Sequence, residues 1–209
     1  ASGDENRMRA QHYLVELLGK SRGISAKVAQ FMTMGGDDAD LRETLDSSIP
    51  SLPFEEITQI LSKAWQVPWD SVLQSLDKKG RVATLSQVHF GRLRDGRDVA
   101  VKVQFPDIAA SVETELDLFG FLPRVGPVAR WGFHMEGYRD AFWHNFSEEL
   151  DYQCEVRHQQ KYRELVASLG DIVVPEVIDE HCRSNIIVQK REEGFSIDEA
   201  EKMFPVDRQ

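Results

Sequence analysis

A chain of 209 residues with 41% hydrophobic content can bury a real core, as one large domain or as a smaller domain with an extension, and disorder is not its default state. The formal net charge of −10 argues against nonspecific binding to nucleic acid or anionic lipid. No apolar run of about 18 residues is present, Asp4, Glu5, Arg7 and Arg9 stand where a secretory leader needs an apolar stretch, and Cys154 and Cys182 belong to no CxxC or Cys/His cluster.

The expectation is a soluble segment that is not secreted, with two reduced thiols and neither a disulfide framework nor a structural zinc site. A first residue Ala1 in place of Met suggests a segment cut from something longer.

From Met8 to Met34 the apolar residues Tyr13, Leu14, Leu17, Leu18, Ile24, Val28 and Phe31 recur at three- and four-residue steps, broken by Gly19 and Gly23. This pattern predicts one or two amphipathic helices. Gly35-Gly36 ends it, and Asp37, Asp38 and Asp40 suit the positive end of a following short helix. A loop is expected from Ser47 to Pro53. Helical periodicity resumes over Phe54 to Ala64 and Trp69 to Leu76, with Pro53 and Pro68 near the two starts. Residues 1–78 therefore read as a helical extension.

The pattern changes at Lys78-Lys79-Gly80. Val88 to Leu93 and Asp98 to Gln104 read as strands, and Asp95-Gly96 between them is a hairpin signal. In the second strand Val99, Val101 and Val103 share a core face, while Ala100, Lys102 and Gln104 share the other. A helical stretch is expected after Pro106, then a break over Pro123 to Pro127 and a long helix from about Tyr138 to Leu169 carrying Phe142, Phe146, Leu150 and Cys154 at four-residue steps. Further strands are expected at Ile172 to Ile178 and Asn185 to Gln189.

Three segments, in this order and spacing, carry a family resemblance: Ala83-Thr84-Leu85-Ser86-Gln87-Val88-His89, Asp98-Val99-Ala100-Val101-Lys102-Val103-Gln104-Phe105-Pro106, and Glu149-Leu150-Asp151-Tyr152-Gln153-Cys154-Glu155. Together they resemble the ABC1/UbiB family of atypical kinases (AarF, ADCK and Coq8-like proteins) over nearly the whole chain. The resemblance implies an α+β fold: a protein-kinase-like N-lobe, with a twisted antiparallel sheet and a long αC-type helix, behind an N-terminal helical extension. On that reading residues 1–78 are the extension, 79–195 the lobe, and 196–209 the hinge exit and the start of a C-lobe absent from this sequence.

The same resemblance assigns roles. Ala83, Thr84, Ser86 and Gln87 belong to an alanine-rich loop over the phosphates, Ala100 to the adenine floor, Lys102 to the α and β phosphates, and Glu155 to an ion pair with Lys102. Glu149 and Asp151 form the family's ExD motif. Lys27 and Gln30 fall in the KxGQ-type motif of a covering helix. Glu149 and Asp151 are two residues apart, about 200° around a regular helix, so both point at one phosphate only if the helix is distorted there. Which carboxylate serves which partner stays open.

What the resemblance implies about function is an atypical kinase or ATPase that takes ATP or ADP with Mg2+ and supports ubiquinone biosynthesis and isoprenoid-lipid homeostasis. Its expected partners are an adenine nucleotide and isoprenoid lipid or membrane-associated ubiquinone-biosynthesis proteins, with no nucleic acid. The expected location is cytoplasmic or membrane-associated in a bacterium and mitochondrial in a eukaryote. Three departures bear on affinity: Ser86 and Ala29 stand where the family has glycine, and Gln189-Lys190-Arg191-Glu192-Glu193 is charged where apolar hinge residues are usual. No HxD-type catalytic loop or DFG-like triplet occurs, so this chain alone is not expected to transfer phosphate. The rival reading is a nonenzymatic homologue that serves as a partner-binding module.

Overall fold

The computed structural model describes residues 48–108 and 147–195, with isolated positions at Tyr13, Glu16, Lys20, Thr44, Ala110, Glu199, Ala200 and Met203. Expectations on Met8 to Met34, on Asp37 to Asp40, on the stretch after Pro106, on the Pro123 to Pro127 break and on Tyr138 to Phe146 fall almost wholly outside the described residues.

Helix α1, Phe54–Trp65, starts where Pro53 fixes the backbone. Its carbonyl accepts from the amides of Glu56 and Ile57, each at 3.1 Å. Ile57, Leu61 and Trp65, four residues apart, point into the core. Gln66 closes the helix in the left-handed region at φ 58°. The Trp65 indole donates to the His181 carbonyl at 2.8 Å, tying the helix end to a distant turn.

Helix α2 is a single turn, Trp69–Val72, and the chain then enters strand β1, Leu73–Leu76. The helix expected over Trp69 to Leu76 is corrected accordingly. Its physical reason lies in the register: Leu73 faces Leu93 and Leu76 faces Gly91, with a bulge between Leu73 and Ser75. One extra residue in a strand brings two leucines three apart onto the same buried face, and that spacing imitates a helix in the sequence. The sheet thus opens at Leu73, ahead of the expected division at residue 78.

Strands β2 (Arg81–Val82), β3 (Ser86–Leu93), β4 (Asp98–Gln104) and β5 (Ile186–Lys190) complete an antiparallel sheet in the order β1-β3-β4-β5, with β2 pairing the other end of β3. The expected hairpin closes as a tight turn, in which Gly96 donates to the Leu93 carbonyl at 3.0 Å and adopts φ +93°. Ile172 to Ile178, expected as a strand, is an extended segment with one bridge, Val177 to Gln189. Pro175 has no amide to give a ladder and Ile172 and Val173 are exposed, so pairing with β5 is confined to the end of the segment, where Ile178 is buried.

The core lies between α1 and one face of the sheet. Ile57, Leu61 and Trp65 pack with Leu73, Leu93, Val99, Val101, Val103, Ile186 and Val188. The other face receives helix α3, Tyr152–Val166, through a smaller cluster of Tyr152, Val156 and Ile187. This is the kinase-like small lobe that the resemblance implies, an antiparallel sheet with a crossing helix, and no C-lobe stands among the described residues.

Two buried polar residues join the segment before α1 to the sheet. The Gln87 carboxamide accepts from the Leu52 amide at 2.8 Å and approaches the Leu52 carbonyl at 3.4 Å, pairing with a whole peptide unit as a strand would. It also meets His89 Nε2 at 2.9 Å, and His89 Nδ1 meets the Asp77 carbonyl at 2.7 Å. The Asp77 carbonyl can only accept, so Nδ1 carries the proton and Nε2 accepts from Gln87.

A Cβ on Gly91 would stand 2.5 Å from the Ser75 carbonyl oxygen, a backbone atom fixed by the bulge, whereas one on Gly170 would meet nothing within 4 Å. Gly91→Ala is expected to lower the urea unfolding free energy by about 1–3 kcal/mol. Gly170→Ala should stay within about 0.5 kcal/mol of the parent.

Candidate functional site

Lys102 projects from the face of β4 opposite the core. Its ammonium donates to both carboxylate oxygens of Glu155, at 2.6 and 2.8 Å, and lies 4.8 Å from the centre of the Tyr152 ring. Tyr152 and Glu155 are three apart in the first turn of α3, so one helical turn supplies both contacts. The ion pair is about a third exposed, with side-chain exposures of 31% and 35%. Tyr152 is buried. Its hydroxyl has Ser86 beside it but no well-formed hydrogen bond, and burial pushes the phenol well above its ordinary range.

Two contacts tie α3 and the turn before it to the sheet, and a cap fixes where α3 begins. The Gln104 side chain donates through Nε2 to the Leu150 carbonyl at 3.0 Å, and helical backbone at 147–150 breaks off at Asp151. Asp151 leaves the helical region at φ −88°, ψ 91°, and its Oδ1 accepts from the amides of Gln153 and Cys154 at 3.0 and 3.1 Å. An aspartate in this position is a strong helix N-cap. Farther along, Gln159 Nε2 donates to the Pro175 carbonyl and to Gln189 Oε1, both at 2.9 Å. Since the carbonyl of Pro175 only accepts, this network fixes the orientation of both glutamine amides.

The single helix expected from Tyr138 to Leu169 is therefore corrected: the described part is interrupted at Asp151 and ends at Val166. The interruption is the distortion that Glu149 and Asp151 need if they are to leave opposite helix faces. Asp151 spends one oxygen on the cap, and the other lies 3.9 Å from Arg157. Glu149 is exposed on the preceding helical turn. Lys27 and Gln30 lie outside the described residues.

The loop between β2 and β3 is drawn inward. Ala83 donates its amide to the Ser86 carbonyl at 2.8 Å, Leu85 enters the core, and Thr84 and Ser86 are buried. Gln87 pairs with Val103 and therefore points its side chain to the core, away from Lys102. Any contact that Gln87 makes with a ligand at Lys102 is limited to its backbone.

Across the sheet, Ala100 is buried and faces Gln189 on β5 and Phe90 on β3. At the end of β5 Lys190 pairs with Glu192 at 2.9 Å, Arg191 donates its amide to the Asp98 carbonyl at 3.0 Å, and its guanidinium lies 4.3 Å from the Phe90 ring centre, with Arg81 at 5.2 Å. Charged side chains thus line this end of the face, as the charged run from Gln189 to Glu193 implied. Tyr152, Gln159, Gln189 and Phe90 are the residues of this face that the sequence analysis did not single out. Strand alternation from Ala100 and Lys102 would have found Gln189 and Phe90, and the three-residue step back from Glu155 would have found Tyr152.

Among the described residues no three His, Cys, Asp or Glu side chains converge on one point, and no helix is long and apolar enough to cross a membrane. The lysine on β4 of the antiparallel sheet, joined to a carboxylate of a crossing helix, defines the small lobe of a kinase-like protein. Residues 44–207 match the ABC1 atypical kinase-like domain, and the chain belongs to that family.

The relatives it resembles include the mitochondrial atypical kinase coq-8 of Caenorhabditis elegans, 28% identical over 192 residues, covering 88% of this chain and 25% of that protein. The AarF domain-containing protein kinase 1 of Xenopus laevis is 27% identical over 202 residues, covering 94% and 39%. The mitochondrial atypical kinase COQ8 of Saccharomyces cerevisiae is 24% identical over 185 residues, covering 85% and 37%. The chain thus spans a quarter to two-fifths of these proteins. Among solved structures, Rv3197 of Mycobacterium tuberculosis in complex with erythromycin shares the fold with a TM-score of 0.56 at 25% identity, over 96% of this chain and 53% of that one.

The Lys102–Glu155 pair can be measured directly. Because it is a third exposed, Glu155→Gln should lower stability by no more than about 1 kcal/mol. A double-mutant cycle with Lys102→Met, read by urea unfolding, should return a favourable coupling of a few tenths to about 1 kcal/mol. Zero coupling would mean that the contact adds nothing to stability.

Proposed function

We propose that this chain is the nucleotide-binding small lobe of an ABC1-type atypical kinase or ATPase, taking ATP or ADP against the face that carries Ala100 and Lys102. The observation that carries the reading is the bidentate Lys102–Glu155 contact at 2.6 and 2.8 Å beside a small, buried Ala100. An ammonium held by a carboxylate is aimed and kept charged, the state needed to meet phosphate oxygens. Ala100 leaves room for a base, and the loop from Ala83 to Ser86 offers backbone rather than side chains to a phosphate.

Mg2+ fits as an ion carried on the phosphates, since among the described residues no three His, Cys, Asp or Glu side chains converge, Glu155 is taken by Lys102 and one oxygen of Asp151 by the helix cap. When bound, the ion would neutralise phosphate charge. The chain's own contribution is to bind and orient the nucleotide. The similarity to COQ8 proteins supports a role in ubiquinone biosynthesis and isoprenoid-lipid homeostasis, with a mitochondrial site in a eukaryote.

One observation favours the nonenzymatic alternative. The base end of the face is lined by Arg81, Arg191 and the Lys190–Glu192 pair, a poor lining for an apolar ring edge. Nucleotide pockets bury most of their ligand between two walls, and this lobe supplies one.

Calorimetry with MgADP and MgATP decides between the two. The 209-residue chain alone is expected to bind weakly, with little or no turnover, and its residual affinity should vanish in Lys102→Ala. Binding unaffected by that substitution would remove the site from this face, and no binding in the full-length protein would favour the partner-binding module. Erythromycin belongs in the same titration, because the mycobacterial neighbour was solved with it.

A further inference from the structure

Lys102 is held from two sides, and the ion pair accounts for only one of them. The other is the ring of Tyr152, 4.8 Å from the ammonium and buried at 1% relative exposure, whose hydroxyl has no well-formed hydrogen bond. A buried phenol with only Ser86 beside its hydroxyl gains little over phenylalanine in packing, because phenylalanine would fill the same space with no polar atom to desolvate. What the ring does supply is a face for a cation.

We propose that Tyr152 is a positioning residue for the phosphate-contacting lysine. Its aromatic face forms a floor that fixes the Lys102 ammonium laterally, while Glu155 fixes it along the helix. Three observations converge on this. The ring and the carboxylate belong to one helical turn, so they move together. That turn is pinned at its start by the Asp151 cap and by Gln104 to the Leu150 carbonyl, at 3.0 Å. Tyr152 also packs on Ile187, the register partner of Lys102 on β5, so the same side chain that docks α3 on the sheet lies against the lysine. Glu155 alone would let a long, flexible lysine follow the carboxylate outward. The ring makes the inward, aimed rotamer the one with two contacts.

The proposal deepens the nucleotide-site reading and rests on it, yet part of its test needs no nucleotide. In the full chain, lysine-labelled NMR should show the Lys102 ε-methylene protons shifted upfield by the ring current, with the resonance assigned by its loss in Lys102→Arg. Tyr152→Phe should keep that shift and leave Tm close to the parent's, because it retains the ring and removes a hydroxyl with no well-formed hydrogen bond. Tyr152→Leu should abolish the shift. An unshifted Lys102 resonance in the parent protein overturns the proposal whether or not the leucine variant folds.

The second readout is affinity. In full-length protein Tyr152→Leu should weaken MgADP binding roughly tenfold, with Tyr152→Phe near the parent. Equal affinity of Tyr152→Leu and parent, with the leucine variant folded, also overturns it. An intact ring-current shift in a full-length protein that binds no nucleotide would instead sink the nucleotide reading while leaving Tyr152 as the residue that orients Lys102.

Discussion

Strand β4 has to satisfy two environments at once, and the rest of the lobe is arranged around that constraint. Its odd-numbered valines, Val99, Val101 and Val103, are fully buried against α1 and the inner face of the sheet. Its even-numbered residues face α3, and each is matched to a different partner: Ala100 to Gln189 and Phe90, Lys102 to Glu155 and Tyr152, Gln104 to the Leu150 carbonyl. A one-residue slip would put the lysine in the core and the valines in water. The hydrophobic requirement of one face therefore fixes the chemistry of the other, which is how an ordinary packing demand delivers a lysine to a defined point.

The even-numbered side also explains why α3 begins where it does. A helix continuing smoothly through residue 151 would carry the phase of 147–150 into α3 and rotate Glu155 with it. Breaking at Asp151 resets the phase, and the cap restores two amides that the break would leave without partners. Asp151 thereby acts on Lys102 at one remove, through the orientation of the turn that bears Glu155. The short spacing between Glu149 and Asp151 is compatible with this interruption and incompatible with a continuous helix that aims both carboxylates one way.

How much of this could be read from the sequence depended on whether a signal was local. The hairpin, the two faces of β4 and the Lys102–Glu155 relation were legible, because alternation and the Asp-Gly turn are written in adjacent residues and the family resemblance supplied the long-range link. Strand β1 was not legible, since its bulge lets Leu73 and Leu76 counterfeit a helical step. The segment from Ile172 to Ile178 has the composition of a strand, and only burial reveals that Ile172 and Val173 have no face to cover. Gln87 was assigned to the ligand because it sits in the loop motif. The register with Val103 turns it inward, where its amide holds the Leu52 peptide unit and His89.

That inward turn changes how the motif is understood. Gln87 and His89 lie on the core face, alternate with Ser86 and Val88 on the other, and connect the segment before α1 and the Asp77 carbonyl to the sheet. A buried amide that pairs with both groups of a peptide unit is replaceable by no apolar residue without orphaning the Leu52 amide and carbonyl. The conspicuous residues of this stretch therefore divide by parity. Those on one face hold the segment before α1 and the Asp77 carbonyl in place, and those on the other border Lys102. Since both sets belong to one strand, the register of β3 against β4 links the Leu52 peptide unit to the face of Lys102 with no direct contact between the two.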